Sequence, residues 1–248
     1  MGQIWEIVIK YWPMYLRGAG VTLYLSILGT VFGFIIGLLA GIIRSIPVPE
    51  DGWKRILLRA VNAILAVYIA IFRGTPMIVQ AMVIYYGAAQ AGFEMDRMAA
   101  GIMIVSINTG AYMAEIIRGG IISIDTGQFE AAQALGMNPV QTMTKVVLPQ
   151  AIRNILPAIG NEFVINIKDT SVLNVISITE LYFQTSTVAG IHFSFFGPFF
   201  IACILYFIMT YAVTRILRMV EKRLDGPKNY ALTSRARKGK GVQYGEGN

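Results

Sequence analysis

Charge is scarce in this chain. Lysine, arginine, aspartate and glutamate together make up 14% of its 248 residues, while 55% are hydrophobic and the mean hydropathy is +0.59. That balance excludes an ordinary soluble domain. Cysteine is present once, at Cys203, so no disulfide or metal framework is available within one chain. The single histidine, His192, sits in Gly190-Ile191-His192-Phe193 and reads as an interfacial or loop residue, not a catalyst or metal ligand. No G-x-x-x-x-G-K-[ST] phosphate loop occurs, which excludes ATP binding by that route. Neither G-x-S-x-G, H-E-x-x-H nor C-x-x-C occurs. The chain does not read as an enzyme, and it is expected to carry no cofactor of its own.

What is present is long apolar runs. No charge interrupts Gly18 to Ile43, Gly74 to Phe93, Met98 to Ala114 or Leu181 to Thr214, and about 20 apolar residues suffice to cross a bilayer. Leu148 to Ile167 is a weaker candidate because it contains Arg153 and Glu162. The first run is 26 residues long and is preceded by Trp5, Trp12 and Pro13, not by a basic segment. It reads as a retained span, not a cleaved signal. Residues 1–17 are expected to be an extracellular or interfacial segment, anchored by Trp5, Tyr11, Trp12 and Tyr15.

Orientation follows from the basic residues. Arg215 to Asn248 carries nine of them against three acidic ones, and the loop from Arg44 to Arg59 adds Arg44, Lys54, Arg55 and Arg59. The positive-inside rule then puts the tail in the cytoplasm, and an odd number of crossings puts the N-terminus outside. The surplus calls for no nucleic acid, since anionic lipid head groups attract such a tail by about 1 kcal/mol per residue. Beyond Asp225-Gly226-Pro227, residues 225–248 are expected to be disordered.

Several patterns carry more specific meaning. Gly29, Gly33, Gly37 and Gly41 recur every four residues and form a flat helix face for close packing, against either a helix of the same chain or an opposing subunit. Thr22, Ser26 and Thr30 form a row of hydroxyls that either bond back to the preceding turn or line a pathway. Gly74-Thr75-Pro76 interrupts the helical run from Ala60 to Gln90, with Thr75 expected as a cap and Pro76 at the first position of a new helix. Asn161 to Ser171 concentrates Glu162, Asn166, Lys168, Asp169, Thr170 and Ser171 between hydrocarbon flanks. Such groups at membrane depth usually face a cavity or a partner. Glu162 and Asn166 are one turn apart and together suit a zwitterion, the carboxylate taking an amino group and the amide a carboxylate. Asp169 and Thr170 are further candidates, as are Thr22 and Ser26. Lys168 reads as structural.

A polar island separates the spans. From Gln128 to Val147 the sequence reads as a helix with Glu130 in its opening turn, a bend at Gly136, and a second short helix after Asn138-Pro139. Ala131, Ala132 and Ala134 allow another surface to approach closely. Glu130-Ala131-Ala132 with Gly136 resembles the cytoplasmic coupling loop by which membrane subunits of ATP-binding-cassette (ABC) importers dock on their ATPase. Phe72-Arg73-Gly74-Thr75-Pro76 with Val79-Gln80, Leu148-Pro149-Gln150-Ala151-Ile152-Arg153 and Lys168-Asp169-Thr170-Ser171 resemble the polar amino acid branch of that family, over roughly residues 15 to 225.

The resemblance implies an all-α integral membrane protein of five transmembrane helices, the type I importer permease fold, occupying residues 18–224. It further implies a second permease subunit, ABC ATPase subunits that bind ATP and Mg, an extracellular or periplasmic solute-binding protein, and a bacterial inner membrane. Glu130, Ala131, Ala132 and Gly136 would dock the ATPase. The cargo would be a polar amino acid, with the carboxylates of Glu162 and Asp169 favouring a cationic one. Cystine or an opine stays open, as does, more distantly, a secondary transporter or channel without an ATPase.

Overall fold

A computed structural model of the chain describes residues 2–224. The tail at 225–248, and the disorder expected of it, lie outside the described residues. Those residues are all-helical: α1 (Gly2–Ile43), α2 (Trp53–Gly74), α3 (Met77–Gln90), α4 (Arg97–Ile122), α5 (Thr126–Ala134), α6 (Pro139–Thr142), a π-helical segment Met143–Val147, α7 (Leu148–Asp169), a 3-10 helix Thr170–Ile176, α8 (Leu181–His192) and α9 (Phe196–Leu224). Four helices are long and apolar enough to cross a membrane: Ile4–Ile43, Trp53–Gly74, Arg97–Ile122 and Phe196–Arg223.

The glycine stripe of α1 packs against α4 of the same chain. A Cβ on Gly33 would lie 2.7 Å from Thr109 Cβ, and one on Gly41 would lie 2.9 Å from the Ala114 carbonyl oxygen. Gly29 and Gly37 press on Val105 and Met113 in the same way. Partners on α4 advance in step with the glycines, so α1 and α4 run parallel. Direction reverses in α7, where Ile155 packs on Gly120 while Asn166 reaches Thr109. It reverses again in α9, whose Leu217 touches Gly160.

Several expected boundaries move. Residues 2–17 are not a separate segment but the first turns of α1, which passes through Pro13 unbroken. Trp5 and Trp12 are exposed, whereas Tyr11 and Tyr15 are buried against α8 and α9 and are not interfacial anchors. Lys54, Arg55 and Arg59 belong to α2, not to a loop. The run Gly74 to Phe93 is not one helix. Thr75 ends α2 in an extended conformation, as a residue before proline must, Pro76 is the N-cap of the 14-residue α3, and Gly92 at φ 85° closes it. The run Leu181 to Thr214 is likewise divided, by Phe193 at φ 48° between α8 and α9.

Glu180 is a buried carboxylate that the sequence reading passed over. It accepts from the backbone N–H of Tyr182 (2.8 Å) and Phe183 (2.7 Å), capping α8, and from the Tyr206 hydroxyl of α9 (3.1 Å). The Thr22 hydroxyl oxygen accepts from Leu181 N–H at 3.2 Å. One residue thereby ties α8 to α9 beside α1, with its charge met by several donors as burial demands.

The seam is directly testable. Gly37→Val is expected to destabilise the detergent-solubilised chain by about 1–3 kcal/mol through overpacking, read as a lowered melting temperature. Gly20→Ala, where a Cβ meets nothing within 4 Å, should leave it unchanged or slightly raised.

Candidate functional site

Pro76 has no N–H, so the Phe72 carbonyl four residues earlier loses its helical partner. In hydrocarbon a stranded carbonyl costs several kcal/mol. Two side chains supply the missing donors. Gln80 Nε2 donates to the Phe72 carbonyl (3.0 Å) and the Thr75 carbonyl (2.9 Å), and Asn108 Nδ2 donates to Phe72 (3.2 Å) and to Gln80 Oε1 (2.9 Å). The Thr75 hydroxyl donates to the Ile71 carbonyl at 2.8 Å. Asn108 lies halfway along α4, so the α2–α3 break is held at mid-height in the bundle.

Arg73, at the end of α2, places its guanidinium 5.4 Å from the Tyr112 ring centre and 4.0 Å from Glu115. Glu115 also pairs with Arg44 at the end of α1. This charge cluster joins α1, α2 and α4.

The second break lies at the same height. α7 ends at Asp169, the 3-10 helix follows, and Ser177 adopts φ 60° before α8. The Tyr86 hydroxyl of α3 donates to the Val175 carbonyl at 3.1 Å, so the two interrupted segments touch.

The candidate ligands from the sequence divide into two groups. Asn166 is buried, with Nδ2 donating to Thr30 Oγ1 (2.8 Å) and Oδ1 accepting from the Thr109 hydroxyl (3.1 Å). Its amide fastens α7 to α1 and α4 and is not presented to a solute. Thr170 donates to the Ile167 carbonyl (3.2 Å) and Ser26 to the Thr22 carbonyl (2.7 Å); both are buried, as is Thr22. These four are engaged inside the chain. Glu162 and Asp169 are not. Neither carboxylate has a hydrogen-bond or ion-pair partner among the described residues, Glu162 is half-buried and Asp169 is exposed. They stand seven residues apart, nearly two turns, on one face of α7.

At the far end of α4 the polar island forms a hairpin. Asp125 caps α5 by accepting from Gly127 N–H at 2.7 Å, so Glu130 is the fifth residue of the helix and not in its opening turn. The C-terminus closes with Met137 N–H on the Ala132 carbonyl (3.1 Å) and Gly136 N–H on the Gln133 carbonyl (2.9 Å). Gly136 has φ 75°, the left-handed conformation this closure requires. Asn138 and Gln141 form a reciprocal capping box on α6. The expected separate helix over Val140 to Val147 does not form. Pro149 cannot donate to Lys145, Leu148 N–H bonds instead to the Met143 carbonyl, and the π-helical turn carries the chain straight into α7. Glu130, Ala131 and Gly136 are exposed, but Ala132 is buried at 3% and faces its own chain. Leu135 (81% exposed) and Val140 (69%) add apolar surface that the sequence reading missed.

An all-helical bundle with two interruptions at mid-height, unpaired carboxylates beside one of them and an apolar-tipped hairpin at one end is organised as a membrane permease. A family model for the binding-protein-dependent transport system inner membrane component matches residues 33–226, and the chain belongs to that family. It is 37% identical over 222 residues to the glutamine transport system permease protein GlnP of Escherichia coli (strain K12), covering 89% of this chain and 97% of that one. It is 32% identical over 213 residues to the arginine transport system permease protein ArtQ of Bacillus subtilis (strain 168), covering 86% and 93%. A crystal structure of an amino acid ABC transporter with histidines superposes with a TM-score of 0.75 at 35% identity, covering 87% of this chain and 96% of that one. The inward-facing MetNI methionine ABC transporter shares the fold, with a TM-score of 0.65 at 24% identity over 84% and 96%.

The placement of Asn166 yields a discriminating prediction. Asn166→Leu should leave two buried hydroxyls without a partner and destabilise the protein by about 1–3 kcal/mol, seen as a fall in melting temperature. A raised KM for transport with an unchanged melting temperature would instead make Asn166 a solute ligand.

Proposed function

We propose that this chain forms the translocation pathway of an ABC importer for a polar amino acid of the cationic class. The observation that carries the reading is the pair of unpartnered carboxylates, Glu162 and Asp169, on one face of α7 beside a break in the helical backbone. Ionisable groups at membrane depth serve a pathway or a partner, and two free carboxylates call for positive charge. An α-amino group and a cationic side chain provide it at two points, while Arg73, whose contact with Glu115 is a long 4.0 Å, is the cation nearest the break for the solute carboxylate. The family membership and the glutamine permeases among the relatives support a polar amino acid, and the arginine permease supports a cationic one.

In this reading the chain crosses the bilayer five times, through α1, the interrupted pair α2–α3, α4, the interrupted path α7 to α8, and α9. The N-terminus lies outside and the hairpin lies in the cytoplasm. A second permease subunit completes the pathway, a solute-binding protein delivers the cargo, and ATP and Mg are bound by separate ATPase subunits that do the hydrolysis. The hairpin docks on an ATPase through Glu130, Ala131, Leu135, Gly136 and Val140. Nucleotide acts by favouring one orientation of the pathway over the other, which requires that the ATPases differ in their contacts with the hairpin in the two states.

Two experiments test this. In proteoliposomes holding the full complex and its binding protein, arginine or lysine should stimulate ATP hydrolysis. Glu162→Gln and Asp169→Asn should each raise the KM for the cationic substrate about tenfold, the loss of one charge-assisted contact. Stimulation by neutral amino acids alone, unaffected by either substitution, would overturn the cationic assignment. Separately, Leu135→Asp should abolish co-purification of the ATPase without changing the folded helix content by circular dichroism.

A further inference from the structure

The opposite face of α7 carries a different chemistry. At 100° per residue, Gly160, Val164 and Lys168 point away from Glu162, Asn166 and Asp169 and toward α9. Between these two helices lies a cavity of about 270 Å³ lined by Val164, Lys168, Phe207, Tyr211, Arg215 and Arg218, together with Thr210 and Thr214. A second cavity of about 240 Å³ continues it past Asn161 and Leu217 to Glu221. Three cations thus line one groove, Arg215 and Arg218 toward the end of α9 and Lys168 deeper, at the level of Thr210. None of Lys168, Arg215 and Arg218 has a carboxylate within ion-pairing distance among the described residues, and Glu221, on the rim, forms no ion pair with Arg218. Both threonine hydroxyls donate back to their own helix, to the carbonyls of Tyr206 and Thr210, so the donors left for a ligand are the three cations and the Tyr211 hydroxyl. The Arg215 guanidinium sits 5.9 Å from the Tyr211 ring centre.

The groove has apolar walls, and Phe207 and Tyr211 are exposed along with Ile208 and Ile216. Arg215 and Arg218 lie in the last third of α9, close to Lys222 and Arg223, whereas Phe207 is two turns deeper. Phosphate-binding charge at the surface end and an acyl-sized apolar wall at the deep end match an amphiphile entering from one leaflet. Basic pockets between transmembrane helices on the cytoplasmic side suit anionic head groups.

We infer that the α7–α9 groove is a binding site for an anionic phospholipid, whose phosphate is held by Arg215 and Arg218 and whose chain lies along Val164, Phe207 and Tyr211. The inference rests on the orientation given under the proposed function, which sets this end of α9 in the cytoplasmic leaflet.

The test counts bound lipid on the purified permease–ATPase complex by native mass spectrometry, with phosphatidylglycerol or phosphatidylcholine added. Phosphatidylglycerol is expected to bind and phosphatidylcholine is not. Arg215→Gln with Arg218→Gln should weaken phosphatidylglycerol binding by about tenfold or more, and the Arg215→Lys, Arg218→Lys pair should restore most of it. Lys222→Gln with Arg223→Gln, which removes the same charge nearby, should change binding less than about threefold. Equal losses in the two glutamine pairs would overturn the site in favour of diffuse surface attraction. Displacement of lipid by millimolar inorganic phosphate would assign the groove to free phosphate. Absence of lipid from the wild-type complex would mean that a protein subunit covers it. Glu162→Gln should leave the lipid count unchanged, so failure of this inference and failure of the cargo assignment are separately visible.

Discussion

The close approach of α1 to α4 is the constraint on which the other contacts depend. Glycine at four successive turns lets Val105, Thr109 and Met113 of α4 seat directly on the α1 backbone, and in lipid such packing replaces the hydrophobic drive that water provides to soluble bundles. The seam sets Thr30 beside Thr109, so that one amide, Asn166, can bridge both and fix α7. It brings Arg44 to Glu115, which in turn receives Arg73 from α2. The same helix α1 carries Thr22 to the start of α8. Widening the seam by one methyl group would loosen every one of these attachments.

Backbone in a bilayer is irregular only where protein supplies its hydrogen bonds. Both interruptions in this bundle obey that rule by different means. Pro76 releases a carbonyl that Gln80 and Asn108 satisfy from the side. The turn between α7 and α8 is satisfied by a 3-10 helix, by Tyr86 and by the carboxylate of Glu180 capping the following helix. The polar groups that sustain the breaks are therefore engaged, Gln80, Asn108 and Glu180 among them buried, and the ones left for a solute are those that neighbour them.

Much of this was legible in sequence where a residue type has one physical consequence. Glycines spaced by four marked a packing face, Gly74-Thr75-Pro76 marked a break, and Gly136 before Asn138-Pro139 marked the hairpin turn. Spacing does not say which neighbour a helix face meets, so Glu162 and Asn166 looked alike although one is unpartnered and the other is a bridge. Phe193 in a left-handed conformation divides α8 from α9, and the Gly197-Pro198 pair in the first turn of α9 was a local signal of that new helix that the sequence reading passed over. Glu180 escaped notice because Ser, Thr, Asp and Asn are the usual N-cap residues, and because burial of a charge depends on Thr22 and Tyr206, far away in sequence.

From Pro139 to Asp169 the chain is one continuous helical segment, although Pro149 and Pro157 each leave a gap in its hydrogen-bond ladder. Its 31 residues span about 45 Å, with the exposed hairpin at one end and a free carboxylate at the other. Such a segment works as a lever arm. Tilting it by about 5° at the hairpin would displace Asp169 by about 4 Å at this length, roughly the difference between a formed and a broken ion pair.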